Sequence, residues 1–403
     1  MSLHFGNLLW PGTYAEPVHY PILDSHKKTR VVIIGGGMSG TLCGYTLAKS
    51  GIDTILIEQN TVGSGSTSAN TGILQYSNDK MLSDFANSIG EQKAVMFYKA
   101  CRQAAEHIHI IAEGMSRNVD FKRRSSLYYA STPTDVPTLR QEYEMLHRNG
   151  FDADWWEEDQ IAMNFPFRKA AAIVTRGDGE INPFLFAQAL TEEGHQSGLE
   201  VYEKTAMLSV RPSAGGYTVS TSGGEIATEH VIYAVGYVPE QTGRQWAAQI
   251  NRSYSIVTEP MPSLSDWHER FLLWETSRPY LYLRTTTDNR IIVGGLDENI
   301  RQPVLSQQEL HAHSLRLLSE LHHLFPAITP EIRYEWCATF GESKDGLPWL
   351  GEDPIHPGIH YCLAYGGNGT IYSMLAAEIF RDHLLGKFNP IASIVRPDRE
   401  IVH

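Results

Sequence analysis

The sequence predicts an α/β protein, in which a parallel-sheet unit is interrupted by a second, α+β unit built on an antiparallel sheet. Three observations predict it. Residues 30–58 read as strand, glycine-rich turn, helix and strand, with an acid at the end. From residue 251 to 297 the pattern changes to alternating strands. A second apolar strand, residues 359–365, then runs into Gly366-Gly367-Asn368-Gly369-Thr370 and a helix over 371–383, so the chain returns late to the first kind of unit.

The first 29 residues, rich in Pro, Tyr and His, show no helical period and are expected to lie along the surface. Residues 31–34 are apolar and β-branched, as in a buried parallel strand. Gly35-Gly36-Gly37-Met38-Ser39-Gly40 fits G-x-G-x-x-G. Gly35 permits the tight turn, Gly37 lets backbone approach a pyrophosphate, and Gly40 lets the helix pack on the strand. A strand over 54–57 delivers Glu58, whose carboxylate can accept both ribose hydroxyls of an adenosine. Strand, turn, helix, strand and acid fall in register, so this is a Rossmann-like site for an adenine dinucleotide.

Residues 59–74 are dense in Gly, Ser, Thr and Asn, and such backbone suits phosphates and ring heteroatoms. Residues 80–117 read as helix, 121–130 as strand and 135–149 as helix. A turn is expected over 177–183, then a helix carrying Phe184, Phe186, Ala187 and Leu190. Strands follow over 201–207 and 217–221, and another over 230–237 ends in Ala234-Val235-Gly236, small enough for a dinucleotide to pass close by. Residues 280–284 and 290–296 form an antiparallel hairpin around a polar turn. The amphipathic helix over 306–325 carries His311, His313, His322 and His323 without the spacing of a metal site, and these read as a solvated face. No metal is expected. Gly366–Thr370 would form a second glycine-rich helix N-terminus, with free N–H groups and about half a positive charge. Such a terminus suits the negative N1–C2=O edge of a reduced flavin.

The 403 residues allow two domains with sizeable cores. A formal charge of −13 argues against nucleic acid and anionic membranes as partners. The four cysteines, Cys43, Cys101, Cys337 and Cys362, are scattered without metal or redox spacing, which suits a reducing cytosol. The N-terminus lacks the basic region of a signal peptide, and no apolar run approaches the roughly 20 residues of a membrane span, so a cytoplasmic protein is expected.

Taken in order, Gly35–Gly40 with Glu58, the segment Gly63-Ser64-Gly65-Ser66-Thr67 through Asn70-Thr71-Gly72, Ala234-Val235-Gly236, and Trp336 through Gly369 resemble the D-amino acid oxidase superfamily of FAD enzymes. They are similar to its glycine oxidase, sarcosine oxidase and γ-glutamylputrescine oxidase branch. The resemblance implies a discontinuous FAD domain (residues 1–85, 178–250 and 334–403) and a substrate domain (86–177 and 251–333). It implies oxidation of a C–N bond in an amine or amino acid by hydride transfer to flavin N5, giving an imine that hydrolyses. The alternatives are an FAD-bearing non-catalytic subunit and an NAD(P)-dependent dehydrogenase. By position, Gly35, Gly37, Ser39 and Gly40 would hold the pyrophosphate and Glu58 the ribose. Ser66, Thr67, Gly72, Ile73 and Leu74 would line phosphates and isoalloxazine, Met207 would meet adenine, and Gly367, Asn368, Gly369 and Thr370 the pyrimidine edge. Met38, Gln59, Ser64, Gly65, Ala234 and Gly236 are assigned to the same cofactor.

The departures bear on substrate. Glycine oxidases carry an arginine for the substrate carboxylate where Phe340 stands here, and a second arginine is replaced by Gly367. Arg284, on the hairpin with Tyr280 and Tyr282, could take over, or could be a surface arginine on an edge strand. The cysteine that tethers flavin in sarcosine oxidases falls at Ala338. Cys337 is next to it but on the opposite face of a strand, so noncovalent FAD is expected.

Overall fold

A computed structural model describes residues 3–401. The strand Lys27–Ile34 occupies the middle of the smaller sheet because it is apolar on both faces. Val31 and Ile33 enter the core on one side, and Val32 and Ile34 the core on the other. It pairs in parallel with Thr54–Ile57 and with Glu225–Tyr233. Outward from these lie Glu200–Tyr202 on one side, and Ile359–Leu363 and Trp349–Glu352 on the other. The helices Met38–Lys49, Pro183–Gln196 and Gly369–Leu384 share one core on a single face of this sheet. Asn182 starts the second of these, its Oδ1 accepting from Leu185 N at 3.1 Å.

The larger sheet has ten strands. In spatial order they are His4–Asn7, Ile332–Ser343, Ala248–Thr258, Ile291–Glu298, Tyr282–Thr285, Leu272–Glu275, Lys122–Tyr129, Ala171–Glu180 and Ile73–Leu74, with Ala153–Glu157 also pairing Ala171–Glu180. Its pairings are antiparallel apart from Leu272–Glu275 with Lys122–Tyr129. The helix Gln307–Leu324 covers one face, packing Leu310, Leu317 and Leu321 on Tyr254, Ile256, Val293 and Cys337. Strand alternation then aims Ser253, Ser255, Tyr282, Ala338 and Phe340 at the other face, which fronts a cavity.

Several expectations need correction. The N-terminal segment is not merely laid on the surface, since His4–Asn7 adds an antiparallel strand to the free edge of Ile332–Ser343. That long strand belongs to the larger sheet, so the chain returns to the smaller one after Ser343 and not at residue 334. The turn expected over 177–183 is strand as far as Glu180, with an irregular register opposite Arg124 and Ser126 that Gly177, at φ 92°, accommodates. The strand expected over 201–207 stops at Tyr202. Lys204 turns left-handed at φ 49°, and the Glu203 carboxylate accepts from Val62 N and Tyr20 N. The strands expected over 230–237 and 359–365 end at Tyr233 and Leu363. The helical stretch 80–117 is two helices, Leu82–Ile89 and Glu91–Gly114, divided at Gly90, φ 86°.

Candidate active site

A cavity of about 500 Å³ runs between the two sheets. One end lies at the tip of the parallel strands. Gly35, at φ 110°, turns the chain where a Cβ would meet Ala234 O at 2.4 Å. A Cβ on Gly40 would meet Gly35 O at 1.8 Å, so the third glycine of the motif is required by the helix lying on its own turn. Gly40 therefore supports the site from behind and does not line it. Met38 N, in the first turn, donates to Thr67 Oγ1 at 2.8 Å, which ties the polar loop to the helix start. Glu58 accepts from Gly36 N and Asn60 N, both at 2.7 Å. Burial pushes its carboxyl up, and these N–H groups oppose the shift.

The loop after Glu58 forms a short helix, Ser66–Ala69, and is held from behind by three donors. Trp336 Nε1 donates to Ala69 O at 3.0 Å, Trp10 Nε1 to Asn70 O at 2.6 Å, and Arg284 Nε to Thr71 O at 2.6 Å. Three consecutive carbonyls are thus satisfied by the protein. Gly72 sits beneath, at φ 73°, where a Cβ would meet Ile181 O at 2.1 Å, and Leu74 is buried. Ser66 Oγ is shielded from solvent and has no hydrogen-bond partner among the described residues.

The second glycine-rich turn arrives from the opposite side. Asn368 Nδ2 donates to Ser77 O at 2.6 Å and to Asn78 Oδ1 at 3.0 Å, anchoring the start of Gly369–Leu384. Ser373 Oγ lies 2.8 Å from Ser39 Oγ, so the two glycine-led helix starts are hydrogen-bonded to each other. Asp79 accepts from Gly367 N at 2.8 Å and from Tyr280 Oη at 2.9 Å. A Cβ at Gly367 would meet the Asp79 carboxylate at 2.5 Å, so the glycine makes room for that acid.

The structure brings together nearly all of the residues singled out from the sequence. Gly35, Gly37, Met38, Ser39, Glu58, Gln59, Ser64, Gly65, Ser66, Thr67, Ile73, Met207, Ala234, Gly236 and Gly367 to Thr370 line the cavity, as do Tyr280, Tyr282, Ala338 and Phe340. Gly40, Gly72 and Leu74 support it from outside. Arg284 does not line the cavity and is not a surface residue. It is 2% exposed, donates to Thr71 O, Ile181 O and Thr285 O, and lies 3.8 Å from Glu180. Burial lowers its guanidinium to about 10 against the pull of Glu180. Cys337 packs in the core on the far side of its strand, and no cysteine lines the cavity among the described residues.

Asp297, Asp79, Ser253, Ser255 and Trp274 also line the cavity and were not singled out from the sequence. Strict alternation along Ile291–Glu298 sends Ile291 and Val293 to the helix-covered core and would send Asp297 there too. An extra residue opposite Ser253, with Leu296 at φ 58°, reverses the phase and turns Asp297 to the cavity. Asp297 Oδ1 is shielded and has no partner among the described residues. Burial pushes this carboxyl up to about 7; Asp79 and Glu342 add to the shift, while Ser253 and Arg278 oppose it. Asp79, Asp297 and, at the other end, Glu58 are the acidic side chains of the lining. No Lys or Arg lines it among the described residues.

A family model described as DAO, FAD dependent oxidoreductase, matches residues 30–383. Among curated proteins, a putative Rieske 2Fe-2S iron-sulfur protein of Bacillus subtilis, YhfW, is 25% identical over 94% of this chain and 73% of its own length. γ-Glutamylputrescine oxidoreductase of Escherichia coli is 24% identical over 93% of this chain and 88% of its own. Glycine oxidase of Geobacillus kaustophilus is 25% identical over 87% of this chain and 92% of its own. Its crystal structure superposes with a TM-score of 0.79, covering 93% of this chain and all of that one.

Proposed function

The chain belongs to the DAO family of FAD-dependent oxidoreductases, and from that premise we propose that it oxidises the C–N bond of a cationic amine that carries no carboxylate beside the reacting carbon. One observation carries this reading: the substrate end of the cavity presents Asp79 and Asp297 and no Lys or Arg among the described residues. A substrate carboxylate there would be desolvated beside like charges, whereas an ammonium would find a partner. The amine named in the γ-glutamylputrescine relative agrees with the reading.

The residues present fit FAD. Ser66 Oγ is an unpartnered donor at the cavity wall, and Gly37 leaves open the space beside Thr67 that a larger side chain would fill. Glu58 would hold the ribose, the starts of Met38–Lys49 and Ser66–Ala69 the diphosphate, and Gly367–Thr370 the ring edge, without a covalent link. When bound, FAD would supply the hydride acceptor for the carbon next to the amine nitrogen, once that nitrogen has released its ammonium proton to water, and the imine that results hydrolyses in water. Asp297 attracts the ammonium into the cavity. Asp79 holds Tyr280 and the Gly367 backbone in place, and so shapes the same end. Phe340, Tyr282 and Trp274 supply apolar wall around the substrate carbon chain.

The test is a substrate screen on the purified yellow protein without air, following loss of flavin colour. Amines and diamines are expected to bleach it, and glycine and D-alanine to leave it coloured. Equal bleaching by glycine would overturn the substrate class. No bleaching by any amine or amino acid would overturn the enzyme reading.

A further inference from the structure

Away from the cavity, the lower end of Gly369–Leu384 meets the strands Trp349–Glu352 and Ile359–Leu363. Glu352 and His360 face each other across these strands. His383, in the last turn of the helix, comes down on the same spot. Among the described residues, Glu352, His360 and His383 bring one ligand atom each to within 4.8 Å of one another. We propose that these three side chains form a binding site for a divalent transition cation of the zinc type, separate from the flavin cavity.

The donor set is the first argument. Two imidazoles and one carboxylate are ligands for zinc, nickel, cobalt or copper, and not the all-oxygen set that calcium or magnesium requires. The spacing is the second. Ligand atoms about 2.0–2.1 Å from a tetrahedral ion stand roughly 3.3 Å apart. His383 Nε2 lies 3.6 Å from Glu352 Oε2, close to that value. The His360 and His383 rings are 5.2 Å apart. His383, with 43% of its side chain exposed, is free to rotate the short distance that closes the set.

The surroundings are the third argument. Glu352 Oε1 accepts from Gly358 N at 2.7 Å, which fixes the carboxylate and leaves Oε2 facing His383. His230 Nδ1 lies 3.1 Å from His360 Nε2 and orients that ring. Outer partners of this kind are what hold metal ligands in position. His383 and Glu352 are both partly exposed, so the site borders solvent.

The site lies at the far end of a 16-residue helix, about 24 Å in length, from the Gly369 terminus at the cavity. It would fasten that helix to the outer hairpin of its sheet and take no part in the redox step.

The experiment titrates metal-free holoenzyme with Co²⁺ and follows visible absorption, then with Zn²⁺ by calorimetry and thermal unfolding. The expected result is one Co²⁺ per chain with the intense bands of a four-coordinate site. Zn²⁺ should displace it and raise the unfolding temperature. His383→Ala, at an exposed position, and Glu352→Gln should each abolish the stoichiometric site and the thermal shift, with flavin absorbance and amine turnover unchanged. Absence of four-coordinate bands in the wild type would overturn the proposal. So would a site retained in both variants, which would place binding on the exposed histidines of Gln307–Leu324.

Discussion

Replacing Asp297 with Asn removes one charge from the substrate end of the cavity while nearly preserving shape. The carboxyl stands at about 7 against an ordinary 3.8. At about 1.4 kcal/mol for each tenfold change in ionisation, that is a ceiling of about 4 kcal/mol. Asp297 keeps part of its surface open to the cavity, and water there screens the charge, which brings the expected effect to about 1–2 kcal/mol. A carboxyl raised in the folded protein contributes stability that is complete below 3.8 and is lost as pH climbs through about 7. Asp297→Asn should therefore match wild type near pH 4, gain stability across pH 4–7, and keep a constant advantage above. Substrate binding should move the other way. In the wild type the half-saturation for a cationic amine falls as Asp297 ionises through neutrality. In the variant it stays high, about 5–30-fold above wild type at pH 8. Thermal unfolding from pH 4 to 9 and anaerobic flavin reduction at each pH measure the two effects. Parallel stability profiles, or an unchanged half-saturation, would refute the assignment of an unpaired carboxylate to the substrate end.

Glu58→Ala should weaken FAD by about 10–100-fold, through loss of charge-assisted hydrogen bonds of about 1.5–3 kcal/mol each, and a fluorescence titration of the apoprotein measures it. Acid precipitation should release all the yellow colour into the supernatant, since Ala338 stands at the tether position and no cysteine lines the cavity among the described residues; colour left in the pellet would contradict this. Arg284→Ala should lower global stability by about 3 kcal/mol in a denaturant titration, because Thr71 O and Ile181 O lose their donor and Glu180 loses a buried cation. The half-saturation ratio between carboxylated and uncharged substrates should not change, as that arginine does not reach the cavity.

The frame of the fold was legible wherever local chemistry and tertiary role coincide. Residues 31–34 are apolar throughout because both faces of that strand are covered. The motif glycines are where Cβ atoms would strike Ala234 O and Gly35 O. Elements stabilised by distant partners were not legible. His4–Asn7 is a strand because Ile332–Ser343 has a free edge, and nothing in the tetrapeptide itself signals that. The break after Tyr202 depends on Glu203 reaching Val62 N and Tyr20 N, more than 140 residues away in the chain.

The substrate end was read by what it lacks, and the structure explains both the gap and its filling. Phe340 and Gly367 mark where arginines are missing, but an absence does not say what took their place. Gly367 is glycine because the Asp79 carboxylate occupies the space beside it. Arg284 looked available because a hairpin arginine near two tyrosines suggests a ligand, yet its guanidinium serves the carbonyls that hold the cofactor loop. Asp297 was hidden by a single extra residue that reverses strand phase, which no period-2 reading detects. The exchange therefore goes beyond the loss of cations. Two acids, one of them with a carboxylate oxygen that has no partner among the described residues, stand where the arginines are missing, and on the proposed reading they favour an ammonium over a carboxylate there.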